Sequence, residues 1–133
     1  MEWNYLVEKA LQAREFAYVP YSGFHVGAAV LTPDGEIFTG CNVENASYGA
    51  AICAERTAIV KAVSAGQNTI TAIAIASDSE DLTFPCGICR QVIAEFAVNG
   101  IRLICANRNG DYKEYSMNDI LPNAFTKDAL IKA

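Results

Sequence analysis

The chain has 133 residues, 52% of them hydrophobic and 19% charged, which is typical of one globular domain and not of a disordered chain. The formal net charge of −5 and the scattered basic residues argue against binding to nucleic acid or to an anionic membrane surface. The N-terminal stretch is acidic and periodic, and no apolar stretch is long enough for a membrane span, so we expect neither a signal peptide nor a membrane segment. Five cysteines in such a chain predict reduced thiols in a cytoplasmic protein.

The first part of the chain predicts a helix followed by a hairpin. Apolar residues at helical spacing predict a helix over residues 3–18, which Pro20 ends. Two strand-like stretches, 24–31 and 36–44, flank the turn residues 32–35. This pattern indicates two antiparallel strands joined by a short turn.

The rest of the chain alternates helices with strands. The pattern predicts a helix over residues 53–65, which ends before Gly66, and a fully apolar strand over 70–77. A further helix over 86–99 ends at Gly100 and is followed by strands over 101–106 and 112–117. Short helices around LPNAF follow from Asn118. We therefore expect one domain over residues 1–133, an α/β fold built as a three-layer α/β/α sandwich. Its sheet should be mixed and mostly five-stranded.

Three cysteines fall at the starts of the two interior helices. Cys53 opens one helix, Cys86 opens the other, and Cys89 follows one turn later. A helix N-terminus carries partial positive charge and free N–H groups, which stabilise thiolate over thiol. Three thiolates from two helix ends predict a zinc site.

Two other interpretations of these cysteines remain open. A thioredoxin-like redox pair would use Cys86 and Cys89 but would leave Cys53 unexplained. A structural zinc site would need a fourth protein ligand, supplied by Cys41, Cys105 or His25, although Cys41 and Cys105 fit better as core residues of strands. Three protein ligands and an open position are the pattern of a catalytic zinc.

Glu55 favours the catalytic interpretation. It lies two residues after Cys53 in the first helical turn, so its carboxylate could approach the open metal position without binding the metal, and there take and return a proton. Arg56 could donate hydrogen bonds to the thiolates and compensate their negative charge, or it could be a solvated partner of an acidic residue. The combination of Cys-x-Glu with Pro-Cys-x-x-Cys is the three-cysteine form of the pattern found in zinc-dependent nucleobase deaminases.

Across nearly its whole length the sequence resembles the short, homotetrameric cytidine deaminases of the three-cysteine zinc type. The matching blocks are PYSGFHVGAAVL, GCNVENASY, ICAERTA, PCGICRQV and LPNAF, at residues 20–31, 40–48, 52–58, 85–92 and 121–125. The resemblance implies hydrolysis of cytidine and 2′-deoxycytidine to uridine and 2′-deoxyuridine, with release of ammonia, in pyrimidine salvage. It implies one Zn²⁺ per chain on Cys53, Cys86 and Cys89, with Glu55 carrying protons.

The resemblance also implies a set of contacts to a small nucleoside substrate. Phe24 would pack on the pyrimidine ring, and the backbone of Ala54 would bind the amide edge of the base. Asn42 and Glu44 would bind the ribose hydroxyls; they are two positions apart at a strand end, so they share a face. Tyr48 and Phe125 would complete the pocket of a neighbouring subunit in a homotetramer.

Two alternative functions remain open at this point. A blasticidin-S-type deaminase would share the zinc motif, although Asn42 and Glu44 favour an unmodified nucleoside. A non-catalytic, zinc-stabilised binding domain would need the cysteines but not Glu55. The sequence departs from the family pattern at Ile88, where a small residue is more usual, and at Gly49-Ala50-Ala51, which affects the expected pocket and interface.

Overall fold

The computed structural model describes residues 2–131 and contains a five-stranded sheet. The elements are α1 (Asn4–Ala13), β1 (Val26–Leu31), β2 (Ile37–Cys41), α2 (Ala54–Ser64), β3 (Ile70–Ser77), α3 (Gly87–Phe96), β4 (Ala97–Ala106), β5 (Tyr112–Tyr115), α4 (Met117–Ile120) and α5 (Asp128–Ile131). The strand order is β2-β1-β3-β4-β5. Strands β3 and β4 are parallel and the other neighbours are antiparallel, so the sheet is mixed.

The helices cover both faces of the sheet, which confirms the three-layer sandwich. Strand β3 contributes to the core on both faces, because successive side chains point to opposite faces of the sheet. Its larger side chains lie on one face and its smaller ones on the other. Ile73 and Ile75 pack in one core cluster with residues of α2 and α3. Ala72 and Ala74 pack in a second cluster with residues of α1, on the opposite face. Within residues 2–131, no helix has the length and apolarity needed to cross a bilayer.

Two glycines let helices lie directly on the sheet. A Cβ atom on Gly27 would lie 1.9 Å from the carbonyl oxygen of Ala10, so α1 packs against β1 with no side chain between them. A Cβ atom on Gly40 would lie 2.4 Å from the backbone nitrogen of Ala58 and 2.7 Å from the carbonyl oxygen of Ala54. Gly40 therefore positions the first turn of α2, which begins next to Cys53.

The predicted first helix is too long. Helix α1 ends at Ala13, and a single 3-10 turn over Arg14–Phe16 follows it. The backbone N–H of Tyr18 donates to the carbonyl of Asn42, and the N–H of Glu44 donates to the carbonyl of Tyr18. This pairing requires an extended backbone at Tyr18, and it outweighs the local helical pattern.

The boundary between α3 and β4 also differs from the prediction. The helix ends at Phe96 and the strand begins at Ala97, which pairs with Ile70 of β3. Gly100, expected to end the helix, instead has φ 87° within an irregular part of β4. The short helices predicted around LPNAF are α4, which precedes residues 121–125, and α5, which follows them. Residues 121–125 themselves contain no helix.

Candidate active site

Three thiols converge where α2 and α3 begin. Cys53 and Cys86 are the N-caps of α2 and α3, and Cys89 lies in the first turn of α3. Their Sγ atoms all lie within 4.8 Å of one another, and those of Cys53 and Cys86 are 3.7 Å apart. Tetrahedral zinc with Zn–S bonds of about 2.3 Å places its sulfur ligands about 3.8 Å apart, so this donor set fits zinc.

The other candidate ligands lie elsewhere. In the part of the chain that the structure describes, the cluster of potential ligands contains these three thiols and neither Cys41, Cys105 nor His25. The His25 Nδ1 atom lies 2.8 Å from Asp78 Oδ2, and the His25 backbone N–H also donates to that carboxylate. The cluster thus has three protein ligands and room for one more, non-protein ligand.

The three thiols do not share one protonation state. The hydrogen bond from Cys89, with contributions from Arg56 and Cys86, lowers the pKa of Cys53 to about 5. The same hydrogen bond to Cys53, together with burial, raises the pKa of Cys89. One thiolate therefore forms readily, and the remaining protons leave when a cation binds, as is general for thiolate metal sites.

Glu55 lies in the first turn of α2 and is 4% exposed. Burial raises the pKa of Glu55 to about 7, and the negative charge on Cys53 acts in the same direction. A general acid–base catalyst is most effective when its pKa lies near the working pH. The position and burial of this carboxyl group therefore suit proton transfer beside the thiols.

Arg56 faces the same cluster. Its Nη2 atom lies 3.9 Å from Cys53 Sγ, within reach of a hydrogen bond to sulfur. Its Nε atom is buried and has no hydrogen-bond partner among residues 2–131. The guanidinium group thus places positive charge next to a thiolate.

Asn42 and Glu44 both already make hydrogen bonds within the chain. The Asn42 amide accepts from the N–H of Val26 at 2.9 Å and donates to the carbonyl of Phe24 at 2.9 Å. The Glu44 carboxylate accepts from the N–H groups of Tyr21 and Ser22, both at 3.1 Å, and from the Ser22 hydroxyl. An amide and a carboxylate have more than these bonding positions, so each retains capacity for a substrate hydroxyl.

The aromatic residues of the predicted site lie on the surface. A cavity of about 310 Å³ next to Glu44 is lined by Tyr21, Ser22, Glu44, Asn45, Tyr48 and Ala51. Tyr48 contacts Tyr21 edge to face, with ring centroids 6.4 Å apart. Phe24 and Phe125 are 42% and 61% exposed, so neither ring is a core residue.

The sequence analysis missed two residues that organise this region. Ser22 holds Glu44, and its Oγ atom also accepts from the N–H of Phe24 at 3.0 Å. Gln91 donates to the carbonyl of Phe125 at 2.7 Å. Both lie inside the matching blocks, but contacts with residues 22 and 34 positions away leave no periodic signal in a sequence.

The two departures from the family pattern lie on the surface. Ile88 is 64% exposed in the first turn of α3. Gly49 and Ala50 form an exposed 3-10 turn with Tyr48, and a Cβ atom on Gly49 would have no neighbour within 4 Å. Neither departure disturbs the thiol cluster.

Comparison with known proteins identifies the class of this site. A profile of the family described as "Cytidine and deoxycytidylate deaminase zinc-binding region" matches residues 1–105. A cytidine deaminase from Halalkalibacterium halodurans is 48% identical over 128 residues, which covers 96% of this chain and 97% of that protein. A crystal structure of cytidine deaminase from Burkholderia pseudomallei superposes with a TM-score of 0.87 at 47% identity, covering 94% of this chain and 100% of that one.

A blasticidin-S deaminase from Bacillus cereus is also similar, at 35% identity over 112 residues, covering 78% of this chain and 79% of that protein. The fold and the thiol cluster thus define a zinc-dependent deaminase, which is a hydrolase. The chain belongs to the cytidine and deoxycytidylate deaminase family.

Proposed function

We propose that this enzyme deaminates cytidine and 2′-deoxycytidine to uridine and 2′-deoxyuridine, releasing ammonia, as a step of pyrimidine salvage. The observation that carries the proposal is the buried Glu55 carboxyl group, with its pKa raised to about 7, next to three convergent thiols. We place the enzyme in the cytoplasm, since Cys53, Cys86 and Cys89 are free thiols that a reducing compartment preserves.

The chemistry divides between the metal and Glu55. Cys53, Cys86 and Cys89 would hold zinc, which would act as a Lewis acid and make water nucleophilic near neutral pH. Glu55 accepts a proton from the attacking water and delivers it to N3 of the pyrimidine ring. Once the water oxygen is bonded to C4, Glu55 carries the remaining hydroxyl proton to the amino group. The C4–N bond then breaks, and the products are the uridine nucleoside, with a carbonyl at C4, and ammonia.

Arg56 supports this step through the thiolates. Three thiolates give a divalent zinc site a net charge of −1, which weakens its action as a Lewis acid. The Arg56 guanidinium, 3.9 Å from Cys53 Sγ, opposes that charge. We therefore assign Arg56 to charge compensation rather than to substrate binding.

The segment around Phe24 would bind the nucleoside. The Phe24 ring is partly exposed while its backbone N–H and carbonyl are both bonded, so it can offer a fixed apolar face to a pyrimidine. Asn42 and Glu44 would use their remaining bonding capacity on the sugar hydroxyls. The backbone of Ala54, at the N-terminus of α2, would bind the amide edge of the base.

We further propose a homotetramer in which Tyr48 and Phe125 complete a neighbouring subunit's pocket. The support is the number of large apolar side chains that the single chain exposes, since contact with another subunit would bury them. Val60 and Val63 on α2 are 47% and 37% exposed, and Tyr48 is 81% exposed.

The test is to incubate the purified, zinc-loaded protein with cytidine, 2′-deoxycytidine or blasticidin S, with zinc-depleted protein as the control. We expect uridine, deoxyuridine and equimolar ammonia from the two nucleosides and no turnover by the control. Turnover of blasticidin S alone would select the alternative deaminase. Full zinc occupancy without any turnover would select a non-catalytic zinc domain.

A further inference from the structure

The backbone of Phe125 is bonded to the helix that carries two of the three zinc ligands. Gln91 on α3 donates from Nε2 to the carbonyl oxygen of Phe125 at 2.7 Å, across 34 residues of sequence. Cys86 caps α3 and Cys89 lies in its first turn, so Gln91 is two residues beyond the last ligand. The zinc site and Phe125 are therefore attached to the same rigid element.

A second contact attaches the start of the same segment. The Arg90 guanidinium donates from Nε to the carbonyl of Pro85 at 2.7 Å and from Nη1 to the carbonyl of Ile120 at 2.8 Å. Residues 121–124 thus run between two points that α3 holds. A turn with Asn123 at φ 56° lies between them, a conformation that asparagine tolerates better than most residues.

The Phe125 side chain differs from its backbone. Its ring is 61% exposed, although its carbonyl is bonded to α3. An apolar ring on a fixed backbone is preorganised to contact a partner, because binding then carries no further entropic cost of ordering that backbone. The exposed Phe125 ring does not pack in the core of its own chain.

We propose that Gln91 is a positioning residue, which sets the direction of the Phe125 ring so that it can close over a bound nucleoside. The inference rests on the proposed function, in which Phe125 completes a neighbouring subunit's pocket. Gln91 acts only through the Phe125 backbone and touches neither the metal nor the substrate. Because it is a neutral amide, its effect is independent of pH between about 5 and 9.

A double-mutant cycle tests this proposal. Gln91→Met keeps the length of the side chain and removes the N–H donor, whereas Gln91→Lys keeps a donor. We expect Gln91→Met to raise the KM for cytidine about 2- to 10-fold, with kcat and zinc content nearly unchanged. Gln91→Lys should restore most of the affinity, and in a Phe125→Ala background Gln91→Met should have no further effect.

Hydrogen exchange gives a readout that does not depend on activity. In Gln91→Met, the amides of residues 121–127 should exchange faster than in the parent, while those of α2 should be unchanged. Gln12→Met, on the exposed face of α1, is the matched control and should alter neither KM nor exchange.

The outcomes separate this inference from the proposed function. An active parent whose Gln91→Met and Phe125→Ala effects are additive would overturn the positioning role alone, as would unchanged exchange in residues 121–127. A zinc-loaded parent that does not deaminate cytidine would overturn the proposed function, and the positioning role with it.

Discussion

Cys89 and Cys105 are both fully buried thiols, but they have different surroundings. Cys89 lies in the first turn of α3 with two other thiols within 4.8 Å. Cys105 lies within β4, where its register partners are Ile75 and Lys113 on the neighbouring strands. Burial raises the pKa of Cys105 to about 12, so this thiol stays protonated at neutral pH.

The comparison shows that burial does not make a cysteine a metal ligand. Burial opposes the thiolate at both positions. Only Cys89 has a second helix N-terminus opposite it, with Cys53 and the positive charge of Arg56. The convergence of two helix starts is therefore what creates the zinc site.

Truncating each thiol to alanine gives the largest expected difference. Cys89→Ala should lose zinc and all measurable turnover, because two thiolates remain of three. Cys105→Ala removes the same atom from an equally buried position and should keep one zinc per chain. Its expected loss is about 1 kcal/mol of unfolding free energy, from a small cavity. Zinc analysis and denaturant unfolding of both variants check this.

X-ray absorption at the zinc edge of the parent sharpens the same comparison. We expect three sulfur ligands and one oxygen or nitrogen ligand. Four sulfur ligands would bring Cys41 or Cys105 into the site and remove the open position that catalysis needs.

The next largest effect is expected for Glu55→Gln. Glutamine keeps the shape of the side chain but cannot accept a proton from water or deliver one to the ring. One general acid–base step contributes about 10²–10⁴ in rate, so the loss of linked steps should lower kcat by at least about 10⁴. Zinc content and melting temperature should be retained, since Glu55 is not a ligand.

Glu8→Gln provides the matched control for Glu55→Gln, since Glu8 is an exposed carboxylate on α1. This control should leave turnover unchanged. If Glu55→Gln kept both zinc and normal turnover, the proposed mechanism would lose its proton carrier and the zinc site would be structural.

A smaller effect is expected at the strand end, where Glu44 combines a structural and a binding role. Glu44→Gln should lower kcat/KM for cytidine by about 1.5–3 kcal/mol, roughly 10- to 150-fold, through loss of an ionic acceptor for a sugar hydroxyl. For 2′,3′-dideoxycytidine, which lacks the 2′ and 3′ hydroxyls, the difference between the parent and the variant should be much smaller and should reflect only the structural role of Glu44.

Ser22→Ala separates the two roles of Glu44. It removes one bond to the Glu44 carboxylate and the bond from the Phe24 N–H, and it leaves the sugar acceptor in place. If Ser22→Ala and Glu44→Gln lowered kcat/KM equally for cytidine and for 2′,3′-dideoxycytidine, Glu44 would act by holding the segment around Phe24 and not by binding the sugar.

The parts of the structure that were predicted correctly depend on local patterns. The hairpin, the apolar strand β3 and the helix starts at Cys53 and Cys86 each have a signal within about ten residues of sequence. The zinc cluster follows from such signals, because two helix starts with cysteines have few other uses. For the same reason Glu55 could be singled out from its distance to Cys53.

The parts that were missed depend on contacts between distant residues. Helix α1 ends early because Tyr18 pairs with the segment around Val43, and Ala97 joins β4 because it pairs with Ile70. The internal bonds of Asn42 and the bond from Gln91 to Phe125 also join distant positions. No local propensity encodes these contacts.

The last prediction asks whether helix placement, and not only the presence of thiols, makes the site. Gly40→Ala and Gly27→Ala each insert a methyl group against a helix backbone, so each should lower the unfolding free energy by about 1–3 kcal/mol or more. The two glycines lie under different helices. Gly40 contacts the first turn of α2, beside Cys53 and Glu55, whereas Gly27 contacts α1 on the opposite face.

Only Gly40→Ala should therefore also weaken zinc binding and turnover, measured well below the melting temperature of each variant. Gly49→Ala is the control for folding stability and should keep the unfolding free energy of the parent, because a Cβ atom there meets no neighbour within 4 Å in the chain. Equal losses of zinc affinity in Gly27→Ala and Gly40→Ala would mean that zinc affinity depends on the stability of the whole fold and not on the placement of α2. A loss confined to Gly40→Ala would mean that the thiols bind zinc because β2 holds α2 in position.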